Sequence, residues 1–225
     1  TTKGSISGYI NLGYKLVKDE TEGKSIVFDN DDSSDQAYKV DLAHDYITVT
    51  PEEPGKPGEP INPDANGPKY PGDTDVKGLT DTVNRTITYK MSDGSKAPDA
   101  VKDALSYTAK KTIDKATGEV VKTEWSANQD FKDVYSPVVK GYTADKKVVS
   151  DKNVAHDAQD IKAVVTYSPD EQKATVTYVD DTTGKVLKSD SLVGVTNKDS
   201  GYTTKGSISG YINLDYKLVK DETKN

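Results

Sequence analysis

The sequence predicts a mainly β protein, β-rich α+β in class, built as elongated tandem modules: an all-β module plus a smaller helix-bearing module split by the ends of the chain. Three observations carry that prediction. Apolar and polar residues alternate over several short segments, VNRTITYKM at 83–91 and ATVTYV at 174–179 being the clearest, which is the period-2 pattern of a half-buried strand. Residues 1–21 recur as 203–223, with Gly13 against Asp215 the only difference. Seven of the ten prolines fall within residues 51–71 and separate two patterned regions.

Composition limits what these elements can build. Val, Ile, Leu and Phe supply only 44 of 225 residues while 30 % of the chain is charged, near the limit below which chains stay disordered. Arrangement therefore decides for folding. Fourteen tyrosines add ring area whose hydroxyls stay wet, which suits thin domains, and the length suits two small domains. A net charge of −7 repels a phosphate backbone, so no nucleic acid partner is expected. No apolar run approaches the roughly 20 residues of a membrane span and no basic-then-apolar signal opens the chain, so no membrane insertion is expected. Zero cysteines exclude disulfides, thiolate zinc sites and cysteine nucleophiles, and in a β protein rich in Thr, Asp, Lys and Tyr they point to a bacterial surface.

In chain order, Ile6, Tyr9 and Ile10 sit at i, i+3 and i+4, as do Ile208, Tyr211 and Ile212 in the second copy. Each set predicts a short amphipathic helix, with Thr1 or Thr2 and Thr203 or Thr204 as candidate N-caps. Gly13 suits the left-handed residue closing such a helix, a role Asp215 fills at some cost. Residues 14–17 and 26–28 read as short strands and 37–49 as longer ones, with Tyr38, Val40 and Leu42 on one face. Pro51, Pro54, Pro57, Pro60 and Pro63 keep a three-residue period and predict an extended polyproline II spacer that packs little, about 3.1 Å per residue or roughly 65 Å in all. A role as an SH3-type ligand is less favoured, because Glu, Gly and Lys fill the gaps.

Strands are expected at 83–91, 105–113, 120–125, 146–149 and 161–167, with turns at Asp93-Gly94 and Thr117-Gly118 and one helical turn at 100–105. Residues 174–195 read as a hairpin turning at DDTTG. Joined in array order, the hairpin, the helix and the following strands give ββαββ, the β-grasp (ubiquitin-like) arrangement. The expected domains are 1–50, the C-terminal part of a β-grasp unit; 51–72, the Pro-rich linker; 73–170, the all-β module; and 171–225, the N-terminal part of the next β-grasp unit. Each end fragment then leaves a sheet edge and an apolar helix face open. Head-to-tail self-association of chains is the expected remedy, and completion within one molecule its runner-up.

ATVTYVDDTTGKVL (174–187), GYTTKGSISGYINLDYKLVKDE (201–222), FDNDDSSDQAYKVDLAHDYITVTP (28–51), TGEVVKTEW (117–125), SPVVKGYTADKKVV (136–149) and AVVTYSP (163–169) resemble the Mub repeats of lactobacillar mucus-binding, MucBP-type adhesins. The resemblance covers essentially the whole chain outside the proline segment. It implies a rod of alternating modules, one of them β-grasp and similar to immunoglobulin-binding bacterial domains, on a wall-anchored parent protein that adheres to mucin glycoproteins outside the cell.

Candidate sites are few. His44 and His156 each stand in an Ala-His-Asp string and are expected as solvated surface residues, with no phosphate loop, Gly-x-Ser-x-Gly or metal-spaced histidine pair nearby. No enzymatic activity is expected, although paired carboxylates of the glycosidase kind are not removed by spacing alone. Asp29, Asp31, Asp32 and Asp35 offer hard oxygens for calcium, but the string lacks the mid-loop Gly and final Glu of an EF-hand and reads more simply as a polar turn. Trp125, the only tryptophan, is either a stacking platform for a sugar ring or a core anchor, the second being favoured. The leading function is adhesion to mucin glycoproteins through their glycans, strengthened by avidity. Its rivals are immunoglobulin or other host-protein binding through a β-grasp edge strand, and a passive stalk spacer.

Overall fold

The structure, a computed structural model, describes residues 1–31 and 33–223. In chain order it contains α1 (Lys3–Asn11), β1 (Tyr14–Asp19), β2 (Val40–His44), β3 (Tyr46–Val49), β4 (Thr80–Met91), β5 (Val101–Asp114), β6 (Val120–Trp125), β7 (Val134–Tyr135), β8 (Tyr142–Ala144), β9 (Val148–Val149), β10 (Ile161–Pro169), β11 (Glu171–Asp180), β12 (Lys185–Val195) and α2 (Lys205–Ile212), with one 3-10 turn at Lys77–Leu79. Six strands share a sheet in the order β3-β5-β4-β10-β8 with β6 also on β5, while β1-β2, β7-β9 and β11-β12 are two-stranded. The chain is therefore mostly β, as its alternation predicts. Packing divides it into two compact units, one of residues 1–85, 102–132 and 151–161, the other of residues 86–101, 133–150 and those from 162 onward.

The alternation of β4 is real, because every second residue from Val83 to Met91 is buried. One of them is Arg85, the only arginine in the sequence and fully buried. In the first unit Val83, Tyr107, Phe131 and Val154 form one apolar cluster and Val49, Leu79, Ala109 and Ile113 another. Arg85 is tolerated beside them because its charge is matched: Nε and Nη2 donate to Asp103, Nη1 donates to Asp151, and Nη2 also donates to the Lys132 carbonyl. Its guanidinium carbon lies 4.3 Å from the centre of the Phe131 ring, a cation–π contact.

In the second unit Ile87, Tyr89, Met91, Val149, Val165 and Tyr167 make the core. Tyr167 is buried because its hydroxyl has a partner, donating to the Pro137 carbonyl at 2.6 Å, as a buried phenol requires. The hairpin β11-β12 runs from the pair Glu171 and Val195 to the pair Asp180 and Lys185. Gly184, at φ 74°, helps turn it, with Asp180 accepting from the Thr182 N–H and the Thr183 hydroxyl.

Several expectations are corrected. No helical turn forms at 100–105, since β5 begins at Val101: the alternation there continues along a strand with a partner to pair with. Residues 26–28 are not a strand, and Val27 and Phe28 are exposed, because no neighbouring strand takes up their backbone groups. The stretch 37–49 breaks at Asp45: β2 pairs with β1 while β3 pairs with β5, so residues 46–49 serve the six-stranded sheet. The strand expected at 146–149 shrinks to Val148–Val149. Thr2 and Thr204 precede the two helices but cap neither. Their hydroxyls donate instead to Asp19 and Asp221, at 2.7 and 2.8 Å.

The largest correction concerns residues 51–72, which are folded rather than extended. The chain doubles back on itself: Gly58 N–H donates to the Tyr70 carbonyl, Tyr70 N–H to Glu59 and Ile61 N–H to Pro68. Ile61 and Tyr70 pack against the cluster of Val49 and Ile113, and Gly55 is buried against Tyr70 and Thr74. Apolar residues between the prolines outweigh the polyproline tendency because a core surface lies within reach.

Candidate functional site

Trp125 ends β6 opposite Ala109 of β5 and is half-buried, touching both apolar clusters of the first unit. One face of the indole stacks on the His156 imidazole, with ring centres 4.1 Å apart and planes 11° from parallel. His156 is thus less solvated than expected, because the indole covers one face of its ring while the side chain stays partly exposed. Its Nδ1 lies 3.7 Å from Asp81. The exposed part of Trp125 opens on a shallow surface groove lined by residues 50–52, 108–110 and 124–126. Hydrogen bonds from Lys122 and Lys110 hold the Glu124 carboxyl there below its ordinary range. An aromatic surface flanked by charged and hydroxyl groups can stack on a sugar face and bond its hydroxyls.

A second aromatic group stands where α2 meets the β11-β12 hairpin. The Tyr178 and Tyr211 rings lie 5.8 Å apart. Tyr202 donates its hydroxyl proton to Asp190 at 2.7 Å and accepts from Tyr178 at 2.7 Å. Lys188 reaches Asp190 at 2.8 Å. The bond from Tyr178, followed by desolvation and by Asp190, pushes the Tyr202 phenol up, while Lys188 and then Tyr202 hold Asp190 down. The sequence set Tyr178 on a strand and Tyr211 on a helix but not their meeting with Tyr202; Lys188 and Asp190 sharing one parity on β12 was the available signal.

His44 also departs from expectation. Its Nδ1 donates to Asp114 at 2.5 Å, and its ring meets Tyr14 edge-on at 5.1 Å. Burial raises Asp114, but the bond from His44 and the N–H groups of Ala116 and Thr117 outweigh it and leave the carboxyl below its usual range. Of the acidic string, Asp29 accepts from the Asp31 N–H and Asp31 from the Ser33 N–H and hydroxyl, the local turn bonding that such residues favour. Asp35 is exposed, and Asp32 lies outside the described residues. Among the described residues no three acidic or histidine side chains converge on a metal position, and no helix is long and apolar enough to cross a membrane.

Small antiparallel sheets, a helix that recurs with the repeated sequence and shallow aromatic surfaces define a β-rich repeat module. A family model described as "Muc B2-like domain" matches residues 74–171, and one described as "Mucin binding domain" matches residues 1–44 and 172–225. The type 2 repeat of the mucus binding protein MUB from Lactobacillus reuteri is 29 % identical, with 76 % of this chain and 83 % of that one covered and a TM-score of 0.44. Mub-RV is 22 % identical over 76 % of this chain and 82 % of its own, with a TM-score of 0.52. The MucBP domain of the adhesion protein from Pediococcus pentosaceus is 33 % identical, covering 40 % of this chain and 98 % of its own, with a TM-score of 0.34. No curated protein matches the chain. The chain belongs to the family of mucus-binding, Mub and MucBP-type, repeats.

Proposed function

We propose that the chain is an adhesion repeat of a bacterial surface protein, outside the cell and on a wall-anchored parent, that binds mucin glycoproteins through their glycans and performs no catalysis. The observation that supports this best is the pairing of a Muc B2-like match with a mucin-binding-domain match in one chain. The groove at Trp125 is the proposed glycan contact. Single sites of this kind bind weakly, and repetition along an array raises retention through effective concentration. Binding of the chain to mucin before and after enzymatic deglycosylation tests the reading, with Trp125→Ala as the second arm. Loss in both arms supports it; binding that survives deglycosylation overturns the glycan part, and no binding at any repeat number leaves the stalk function in its place.

A second reading, recognition of immunoglobulin or another host protein by strand addition, is favoured by the two-stranded sheets β1-β2 and β11-β12, whose outer edges present backbone groups. Retention of an immunoglobulin fragment by the chain, lost when proline replaces a β12 edge residue, is the expected sign.

We also propose that residues 172–223 and 1–44 are complementary parts of one β-grasp domain type, and that two copies of this chain associate head to tail through them. Support comes from the identical string YKLVKD, which is strand β1 at 14–19 beside β2 but is not a strand at 216–221. Sedimentation equilibrium is expected to show mass rising with concentration; a monomer at every concentration overturns this.

A further inference from the structure

The two copies of the repeat differ at one position, and in the first copy that position is a glycine with no room for a side chain. Gly13 is buried at φ 92°. A Cβ built there meets the backbone of the β5-β6 turn, 2.4 Å from Lys115 C, 2.4 Å from Lys115 O and 2.6 Å from Ala116 N, and backbone atoms held in a turn cannot move aside as a flexible side chain does. Around this contact the corner is bonded to the turn. Asp45 N–H donates to the Gly13 carbonyl at 2.8 Å and Lys115 N–H to the Asp45 carbonyl at 2.9 Å. Lys115 Nζ reaches Asp45 Oδ2 at 2.7 Å, Asn62 Nδ2 donates to the Lys115 carbonyl at 2.6 Å, and His44 bonds Asp114 one residue before.

A positive φ alone does not demand glycine at this place in the repeat. Asp215 occupies the same place after α2 at φ 66°, and that helix still closes with Asp215 N–H donating to the Ile212 carbonyl at 3.1 Å. Asp is among the residues that adopt the left-handed region. The copies share a helix and a hydroxyl–carboxylate tie (Thr2 to Asp19, Thr204 to Asp221). Gly13 lies against the backbone of a turn, where a side chain of any kind has no room.

We propose that the β5-β6 turn at Lys115–Ala116, with Asp45 and Asn62, is a docking surface for a helix–strand corner bearing glycine at this position, and that a corner bearing aspartate is excluded from it. The residue at 13 or 215 is then the specificity determinant for joining a mucin-binding-type unit to a Muc B2-like module. A glycine corner makes a bonded joint and an aspartate corner an unbonded one, so a single codon sets the stiffness of each joint along an array of such repeats.

Hydrogen exchange on the full chain tests this, read at the Asp45 and Lys115 amides. Gly13→Asp and Gly13→Asn are both expected to speed their exchange about tenfold or more, while Asp215→Gly changes nothing there. Asn tolerates positive φ, so rescue by Asn relative to Gly13→Ala would assign the glycine to backbone conformation and overturn the proposal. Unchanged exchange in Gly13→Asp would overturn it, and so would acceleration spread equally over the amides of residues 162–169, which would make Gly13 a general folding residue.

Discussion

Arg85 and Asp103 form a two-bond pair, Nε to Oδ1 at 3.0 Å and Nη2 to Oδ2 at 2.7 Å, with the guanidinium wholly inside the first unit. The geometry is the planar fork that arginine matches and lysine cannot. Asp103 is about one-third exposed, so the pair is asymmetric: removing the arginine leaves carboxylates that water reaches, whereas removing the carboxylates strands a buried cation.

Arg85→Ala should destabilise the chain by about 1–3 kcal/mol, through the hydrogen bonds and the packing on Phe131 that it loses, since the carboxylates it leaves reach water. Arg85→Lys should recover only part of this. Urea unfolding of both variants decides the matter; a loss below that of an ordinary surface substitution would show that the cluster of Val83 and Tyr107 holds without it.

Acid should loosen the contact between residues 44–45 and the β5-β6 turn. A hydrogen bond from Lys115 leads the causes that hold the Asp45 carboxyl below its ordinary value, and Asp114 is also held low. Both folded-state values lie below the unfolded ones, so their stabilisation is complete above the ordinary carboxylate value of about 3.9 and fades as pH falls through the folded values. Asp45→Asn with Asp114→Asn should flatten the fall of the urea midpoint between neutral and acid pH, and an unchanged slope would exclude these two groups.

Residues 51–72 should resist proteolysis at Lys56, Glu59 and Lys69 until the first unit unfolds, as their backbone is tied to Tyr70, Pro68 and Thr74. Asn62→Ala leaves the Lys115 carbonyl without its side-chain donor and should cost about 1–3 kcal/mol. Rapid cleavage of the native chain at these sites would restore the extended spacer.

Asp19 and Asp221 should each anchor the helix of their own copy. Asp19 accepts from the Thr2 and Thr21 hydroxyls, which lower its carboxyl most, and Asp221 accepts from the Thr204 and Thr223 hydroxyls. Neither helix buries a residue of its own, so this tie substitutes for packing. Asp19→Ala and Asp221→Ala should each remove part of the helical circular dichroism, additively in the double variant.

Local pattern was enough for the elements whose partners are near in sequence or whose burial is one-sided. Alternation along 83–91 placed β4, DDTTG placed the β11-β12 turn, and the i, i+3, i+4 spacing placed both helices. The face of Arg85 was also readable, since it shares the parity of Val83 and Ile87, and an inward cation implies carboxylates. The Trp125 site was legible as a residue but not as a surface, because His156 and residues 50–52 reach it from distant parts of the chain. The folding-back of the proline segment and the break at Asp45 were likewise decided by contacts far apart in sequence. The plainest case is YKLVKD, a strand at 14–19 and not at 216–221. Its side chains and local propensity are the same in both places, and only the backbone of Val40–His44 beside the first copy supplies the hydrogen-bond partners that make it a strand.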